Sequence, residues 1–159
     1  MLHLIPARAH RALMPLAHRV RRTWLRWRRP QVEGVSVVIG DGEGRVLLVR
    51  QSYATTKWLL PAGGKRRGES AEDAIRREMR EELGCELAHL SLFARHEDTL
   101  HGAPSRTFLF AAEAASEVRP DMREVIEARF FAPGELPDAL ERRVRPRLAM
   151  LEGERSEQR

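Results

Sequence analysis

Residues 63–85 read GGKRRGESAEDAIRREMREELGC, a glycine-rich loop that runs directly into a helical pattern. Ser70 stands where its side chain can cap the first turn of that helix, with Asp73 three residues further along. Gly84 follows the last turn, in the position that a helix-terminating glycine commonly occupies. The pattern therefore predicts a helix that starts at Ser70 and is closed by Gly84.

Three glutamates of this helix lie in an unfavourable place. Glu78, Glu81 and Glu82 share one helix face because they stand at i, i+3 and i+4, and like charges at that spacing repel. They also lie in the C-terminal half, where the helix dipole disfavours each anion by up to about 1 kcal/mol. A hard cation such as Mg²⁺ or Mn²⁺, which takes oxygen ligands, would cancel this repulsion. The alternative is a solvated, glutamate-rich helix whose charge is balanced by its own arginines.

The loop before the helix favours the metal interpretation. Its glycines allow backbone N–H groups to approach a phosphate closely, at the point where the helix begins. A glycine-rich loop joined to a carboxylate-bearing helix predicts a site that holds a phosphate and a metal ion together.

The same residues resemble the signature of the Nudix hydrolases, G-x5-E-x7-R-E-U-x-E-E-x-G-U, in which U is a bulky apolar residue. All seven fixed positions match: Gly63, Glu69, Arg77, Glu78, Glu81, Glu82 and Gly84. So many fixed positions make the signature far more specific than a short motif. Segments 58–61 and 128–131 are also similar to the family, so the resemblance covers roughly residues 32–140.

The chain departs from the family pattern at three places. Ala62 stands where a third glycine is frequent, and Cys85 is less bulky than the usual aliphatic residue. Arg66 and Arg67 replace an acidic residue that is often found ahead of Glu69. The resulting basic loop favours an extra phosphate or anionic group on the substrate.

The resemblance implies an α/β fold, an α/β/α sandwich built on a mixed β-sheet. It also implies metal-dependent hydrolysis of a pyrophosphate bond in a nucleoside diphosphate linked to another moiety, by attack of water on phosphorus. The substrate would be a nucleotide sugar, a compound like ADP-ribose or a nucleoside triphosphate. The alternative is a nucleotide-binding regulator of the same fold that acts without turnover.

By the same resemblance, Glu78, Glu81 and Glu82 hold Mg²⁺ or Mn²⁺, which lowers the pKa of a bound water. Either Glu81 or Glu82 also serves as general base, and the resemblance leaves the choice between them open. Glu124 is expected to be a further metal ligand or base, on a loop that faces the helix.

Other residues are expected to support the site or to contact the substrate. Glu69 and Arg77 are expected to form a salt bridge that holds the loop against the helix. Gly63 and Gly64 are needed for the shape of the backbone. Further candidates for gripping a phosphate or stacking on a base are Arg50, Tyr53, Trp58 and Lys65. For Trp58, packing in the core beside the loop is the competing expectation.

Apolar runs outside residues 63–85 predict the remaining strands and the last helix. Residues 35–39 and 46–51 indicate a hairpin around a glycine-rich turn. Further strands are predicted at 87–95, 107–112 and 128–131, with loops at 97–105 and 116–121 and a final helix at 137–151. We expect one domain over residues 32–151, followed by a polar tail at 152–159.

Composition limits the class of protein. The chain has 159 residues, 42% of them hydrophobic, and no apolar run near the roughly 18 residues of a membrane span, as in a soluble globular domain. Its single cysteine excludes an intramolecular disulfide and is compatible with a cytoplasmic location. A homodimer is left open, and no specific nucleic-acid partner is expected.

The net charge of +5 belongs to the first residues of the chain. Residues 1–32 contain eight arginines and no acidic residue, so the remainder carries 20 − 23 = −3. Residues 1–31 form a basic leader, in which apolar residues recur at steps of three and four over 13–29 and predict an amphipathic helix. It would pack on the domain, contact an anionic membrane surface peripherally or target the chain.

Overall fold

The computed structural model describes residues 32–52, 56–100 and 103–157. The basic leader, with its predicted helix and membrane contact at 13–29, lies outside the described residues, as does Tyr53. Within the described ranges, no helix is both long enough and apolar enough to cross a membrane.

The described residues form one mixed sheet with two α-helices. The strands are β1 (Val32–Gly40), β2 (Val46–Gln51), β3 (Ala62–Gly64), β4 (Leu87–Leu100), β5 (Ala103–Ala114) and β6 (Val125–Phe131). The helices are α1 (Ala71–Leu83) and α2 (Val144–Glu157), with a short 3₁₀ turn at Pro133–Glu135. The sheet order is β4-β5-β1-β2-β6, and β3 pairs with the first half of β1. Only the β1–β5 pair is parallel, so the sheet is mixed as predicted.

The two helices cover opposite faces of the sheet. Alternate residues of a strand point to opposite faces, and Val35 and Val37 accordingly pack with the apolar side of α1. Val38, between Val37 and Ile39, packs with α2 instead. The sequence alternation along β1 therefore supplies both halves of the core.

Helix α1 has the limits that its sequence predicts. The Asp73 backbone N–H donates to Ser70 Oγ at 3.0 Å, which satisfies one of the free donors of the first turn. Gly84 ends the helix with φ of 56°, a left-handed conformation that suits glycine. The buried side of α1 carries Ala74, Ile75, Met79 and Leu83, each fully buried. Burial of this side turns the glutamate-bearing side of α1 toward β3 and the first half of β1.

Two predicted elements were wrong in extent. Residues 97–100 and 103–105, predicted as loop, continue β4 and β5 as a paired ribbon, in which Arg106 forms an ion pair with Glu97 at 2.8 Å. This ribbon is polar on both sides, so it lacks the apolar alternation by which a strand is recognised. The final helix begins at Val144, not at residue 137, and runs to Glu157 through most of the predicted tail. Its polar residues are good helix formers, which explains the extension.

The buried side of α1 should contribute strongly to the free energy of unfolding of the domain. We expect Met79→Ala to lower the free energy of unfolding by about 2–5 kcal/mol, because it leaves a cavity under a fully buried side chain. Met150 is 41% exposed on α2, so Met150→Ala should change it by less than about 0.5 kcal/mol. Urea unfolding of both variants measures the difference, and equal losses would contradict this packing.

Candidate active site

A cleft of about 640 Å³ opens where β3 meets the first half of β1. One wall carries the outward side of α1, and the other carries the first turns of α2. The floor includes Gly34, which pairs with Gly64 on one side and with Thr107 on the other. The cleft is lined by all four carboxylates that were predicted to be metal ligands or a general base: Glu78, Glu81, Glu82 and Glu124.

Arg77 joins the glycine-rich loop to the helix. Its Nε donates to Glu69 Oε1 at 2.8 Å and its Nη2 to Glu69 Oε2 at 3.0 Å, which confirms the predicted salt bridge. Nη2 also donates to the Gly64 carbonyl at 2.9 Å, and Nη1 donates to Glu78 Oε1 at 2.8 Å. These bonds to Arg77, with a further bond from the Arg66 backbone, lower the pKa of Glu69 to about 2. Glu69 and Arg77 thus keep full charge near neutral pH and hold the loop in place.

Gly63 is required for space rather than for backbone conformation. A Cβ built at this position would overlap Cγ and Cδ of Glu78, whereas one built at Gly64 would meet nothing within 4 Å. The Glu78 side chain therefore lies directly against the Gly63 backbone. The predicted need for glycine is explained at Gly63, and at Gly64 it is the carbonyl that matters.

Glu82 lies among like charges. It is only 8% exposed, and burial raises the pKa of its carboxyl, an effect that neighbouring Glu78, Glu124 and Asp121 reinforce. Repulsion from the neighbouring carboxylates therefore adds to the free-energy cost of burying the charged form of Glu82. This electrostatic arrangement is the feature that a bound cation would reverse.

The carboxylates do not form a closed cage in the described residues. No three acidic, histidine or cysteine side chains there are arranged as a metal-holding group. Glu78 and Glu81 instead contact Arg77, Glu81 at 3.5 Å. The side chain of Glu81 is 54% exposed and has room to turn toward the cleft.

A loop that precedes β6 brings Glu124 to the carboxylates of α1. Asp121 Oδ1 accepts hydrogen bonds from the backbone N–H groups of Arg123, Glu124 and Val125 at 2.9–3.0 Å. The Asp121 backbone N–H donates to the Glu82 carbonyl at 2.8 Å, so the loop is fastened to the end of α1. Sequence reasoning missed Asp121, although its place after Pro120 is typical of a turn-forming aspartate.

Arg50 and Trp58 do not line the cleft, so the structure does not support their predicted contact with substrate. Trp58 is 9% exposed and packs edge-on against Phe131, with ring centroids 4.9 Å apart. Arg50 Nη1 donates to Glu127 at 3.0 Å, and its guanidinium lies 5.8 Å from the Trp58 ring. Both belong to the α2 side of β2, and Trp58 is a core residue.

Lys65 has a partner beside the cleft. Its Nζ donates to Glu33 Oε2 at 2.7 Å, and Glu33 rather than Lys65 lines the cavity. A direct grip of Lys65 on a phosphate would require this ion pair to break.

Arg143, directly before α2, and Arg147, in its first turn, complete the cleft and were not predicted. Arg143 Nη2 donates to Asp98 Oδ2 at 3.1 Å, and Arg147 Nη1 donates to the hydroxyl of Ser36 at 3.2 Å. No local motif marks them in the sequence, because only the packing of α2 on the sheet brings them to the cleft.

Comparison with known proteins bears on the whole domain. A family model described as the NUDIX domain matches residues 30–151. The mitochondrial NAD(P)H pyrophosphatase NUDT13 of Homo sapiens is 32% identical over 120 residues, 72% of this chain and 33% of that protein. An RNA pyrophosphohydrolase of Teredinibacter turnerae is 38% identical over 60 residues, 38% of this chain and 35% of that protein. The match therefore spans about a third of the length of each relative.

Solved structures share the architecture. The MutT NUDIX hydrolase from Burkholderia pseudomallei gives a TM-score of 0.69 at 26% identity, covering 77% of this chain and 98% of that one. A UDP-X diphosphatase gives a TM-score of 0.69 at 23% identity, over 82% of this chain and 65% of that one, and shows the fold alone. These likenesses confirm the predicted α/β fold with its mixed sheet.

The Glu69–Arg77 pair should have a distinct pH signature. The folded-state pKa of Glu69, about 2, lies below its usual 4.5, so the pair stabilises the fold fully above about pH 4.5. This contribution is lost as the pH falls from 4.5 toward 2. We therefore expect Glu69→Gln to lower the Tm at pH 7, with a difference from the unmodified chain that shrinks across that window. A Tm difference that is constant from pH 7 to pH 2.5, followed by circular dichroism, would contradict the assignment.

Proposed function

Because the chain belongs to the Nudix family, we propose that it is a divalent-cation-dependent pyrophosphohydrolase acting on a nucleotide. The observation that carries this proposal is the meeting of Glu78, Glu81, Glu82 and Glu124 in one cleft beside a glycine-rich loop. Three of them come from α1 and one from a separate loop fastened to the end of that helix.

The donor set fits a hard cation. It consists of carboxylate oxygens, which Mg²⁺ and Mn²⁺ prefer, and Nudix hydrolases generally use divalent metal ions. Glu78, Glu81 and Glu82 would hold the ion, and Glu124 would be a further ligand or a base. When bound, the cation neutralises charge on the pyrophosphate and acidifies water. Glu82 supports this assignment, since its buried, like-charged surroundings favour a positive ligand.

The reaction follows from the parts that the chain supplies. The oxygen of a water forms a bond to one phosphorus of the anhydride, and the bridging P–O bond breaks to leave two phosphate products. A carboxylate takes the proton of the attacking water. Among the candidates Glu81, Glu82 and Glu124, we favour Glu124, because it stands on a different element from the α1 carboxylates and is left to move a proton while they hold the ion. Arg77 keeps the loop and the helix face aligned throughout.

The substrate is a nucleotide that contains a phosphoric anhydride. The two relatives are named for RNA and for NAD(P)H, which are both ribonucleotide compounds but differ widely in size and in the groups attached to the phosphates. The linkage is what the carboxylate cluster and the glycine-rich loop address, so the reaction class extends to this chain more readily than either substrate.

A charge-neutral change at Glu82 should separate function from folding. We expect Glu82→Gln to lower Mg²⁺-dependent turnover by about 100-fold or more, since it removes an anionic ligand from the site. Its Tm without metal should stay the same or rise, because a buried carboxylate surrounded by like charges is removed.

Glu72→Gln is the matched control for Glu82→Gln. Glu72 lies on the same helix but is 58% exposed and pairs with Arg76. The turnover of Glu72→Gln should therefore equal that of the unmodified chain. Both rates are read by chromatography of products from a panel of nucleotides with Mg²⁺ or EDTA. Full activity of Glu82→Gln would exclude Glu82 as a ligand.

The contact between Gly63 and Glu78 gives a second test that needs no substrate. Gly63→Ala should displace the Glu78 carboxylate and weaken Mn²⁺ binding by about 10–100-fold, the effect expected when the shell around a ligand is disturbed. Gly153→Ala on α2, where a Cβ meets nothing within 4 Å, should leave Mn²⁺ binding unchanged. Titration followed by electron paramagnetic resonance measures both, and equal affinities would contradict the role of Glu78.

A further inference from the structure

The α2 wall of the cleft carries a cation whose charge is only partly offset by nearby carboxylates. The guanidinium of Arg147 is half-buried and lines the cleft, and among the described residues it forms no ion pair. Its one hydrogen bond is to the neutral hydroxyl of Ser36, which is itself buried and donates to the Pro61 carbonyl. Four of the five N–H donors of the guanidinium are therefore left for another acceptor.

The surroundings of Arg147 increase the free-energy cost of its positive charge. Burial lowers the pKa of Arg147 and the adjacent positive charge of Arg143 lowers it further, while the more weakly acting carboxylates of Glu141 and Asp98 oppose this shift. The carboxylate of Asp98 is already bonded to Arg143 at 3.1 Å. A half-buried, unpaired cation costs free energy in a protein without ligand, and such exceptions concentrate at functional sites.

The register of the sheet places Ser36, the partner of Arg147, beside the strand that carries Gly63. Ser36 pairs with Ala62, the residue before Gly63, and so lies one strand from the backbone that contacts Glu78. In the other direction the floor runs from Gly64 across Gly34 and Thr107 to His96, three strand spacings or about 14 Å. Arg147 and the α1 carboxylates line the same cleft as this floor, so an anionic group that extends from the carboxylates across the floor stays within that cleft with the guanidinium.

We propose that Arg147, assisted by Arg143, forms a phosphate subsite on the α2 wall that selects substrates with a chain of three phosphates over those with a two-phosphate bridge. This inference rests on the proposed function, because it takes the pyrophosphate to bind beside the α1 carboxylates. The planar guanidinium offers paired donors that suit phosphate oxygens, and Gly34 contributes no side chain to the floor of the same cleft. Arg66, on the opposite loop, lines the same cleft and adds positive charge there.

Binding of two inorganic probes tests the subsite without relying on turnover. The full chain, with Mg²⁺, is titrated calorimetrically with tripolyphosphate and with pyrophosphate, and ³¹P NMR verifies that each probe is intact. We expect Arg147→Gln to weaken the binding of tripolyphosphate by about tenfold or more, because one charge-assisted contact is lost. The binding of pyrophosphate should weaken by less than about threefold. Arg145→Gln, an exposed position on the same helix, should change neither.

Stability provides a readout that a structural role would move in the opposite direction. Without ligand, Arg147→Gln should keep or raise the Tm, because an unpaired, half-buried charge is removed. Arg147→Lys keeps the charge but loses the planar fork, so it should bind tripolyphosphate with intermediate affinity. A lowered Tm with equal weakening of both probes, or no effect on either, would overturn the proposal.

The outcome is separable from that of the proposed function. Arg147-dependent binding of tripolyphosphate in a chain that hydrolyses no nucleotide would refute the hydrolase and leave the subsite standing. Hydrolysis of nucleotides by a chain in which Arg147→Gln does not selectively weaken the binding of tripolyphosphate would refute the subsite and leave the hydrolase standing. The three-phosphate chain has two sources, a free nucleoside triphosphate and the 5′ end of an RNA, and competition between GTP and a 5′-triphosphorylated oligoribonucleotide distinguishes them.

Discussion

The candidate site depends on one guanidinium. Arg77 binds Glu69 and the Gly64 carbonyl on the loop and Glu78 on its own helix, so it fixes the spacing between the two parts of the site. Arginine suits this position because its planar group can make several directed bonds at once and stays charged. The same group also places a positive charge beside three glutamates, which reduces their repulsion without removing it.

The rest of the fold holds those glutamates in place against their repulsion. The opposite side of α1 is fully buried in the core, which prevents the helix from turning its charged face away. Asp121 then secures the loop of Glu124 through three backbone hydrogen bonds and a bond to the end of α1. Under the proposed function, binding of a cation would offset the free-energy cost of this arrangement in the free protein.

Local patterns predicted what depends on neighbours in sequence. The caps of α1 follow from short spacings and were confirmed, while the Glu69–Arg77 bridge and the mixed sheet, which the resemblance to the Nudix family implied, are also present. Contacts made by distant segments were missed, as with Asp121 and Arg147, which only the packed sheet brings to the cleft. For Trp58 and Arg50, residue type suggested a binding role, but Trp58 packs in the core against Phe131, and Arg50 lies against the Trp58 ring.

The central claim is that the carboxylate cluster directs water to a phosphoric anhydride. Hydrolysis of a nucleotide panel in H₂¹⁸O, with Mg²⁺ or EDTA and mass spectrometry of the products, tests it most directly. We expect cleavage only with the cation, and one ¹⁸O incorporated into a single phosphate product per turnover. No cleavage of any nucleotide, together with a nucleotide-dependent rise in Tm, would contradict the claim and identify the domain as a binding module.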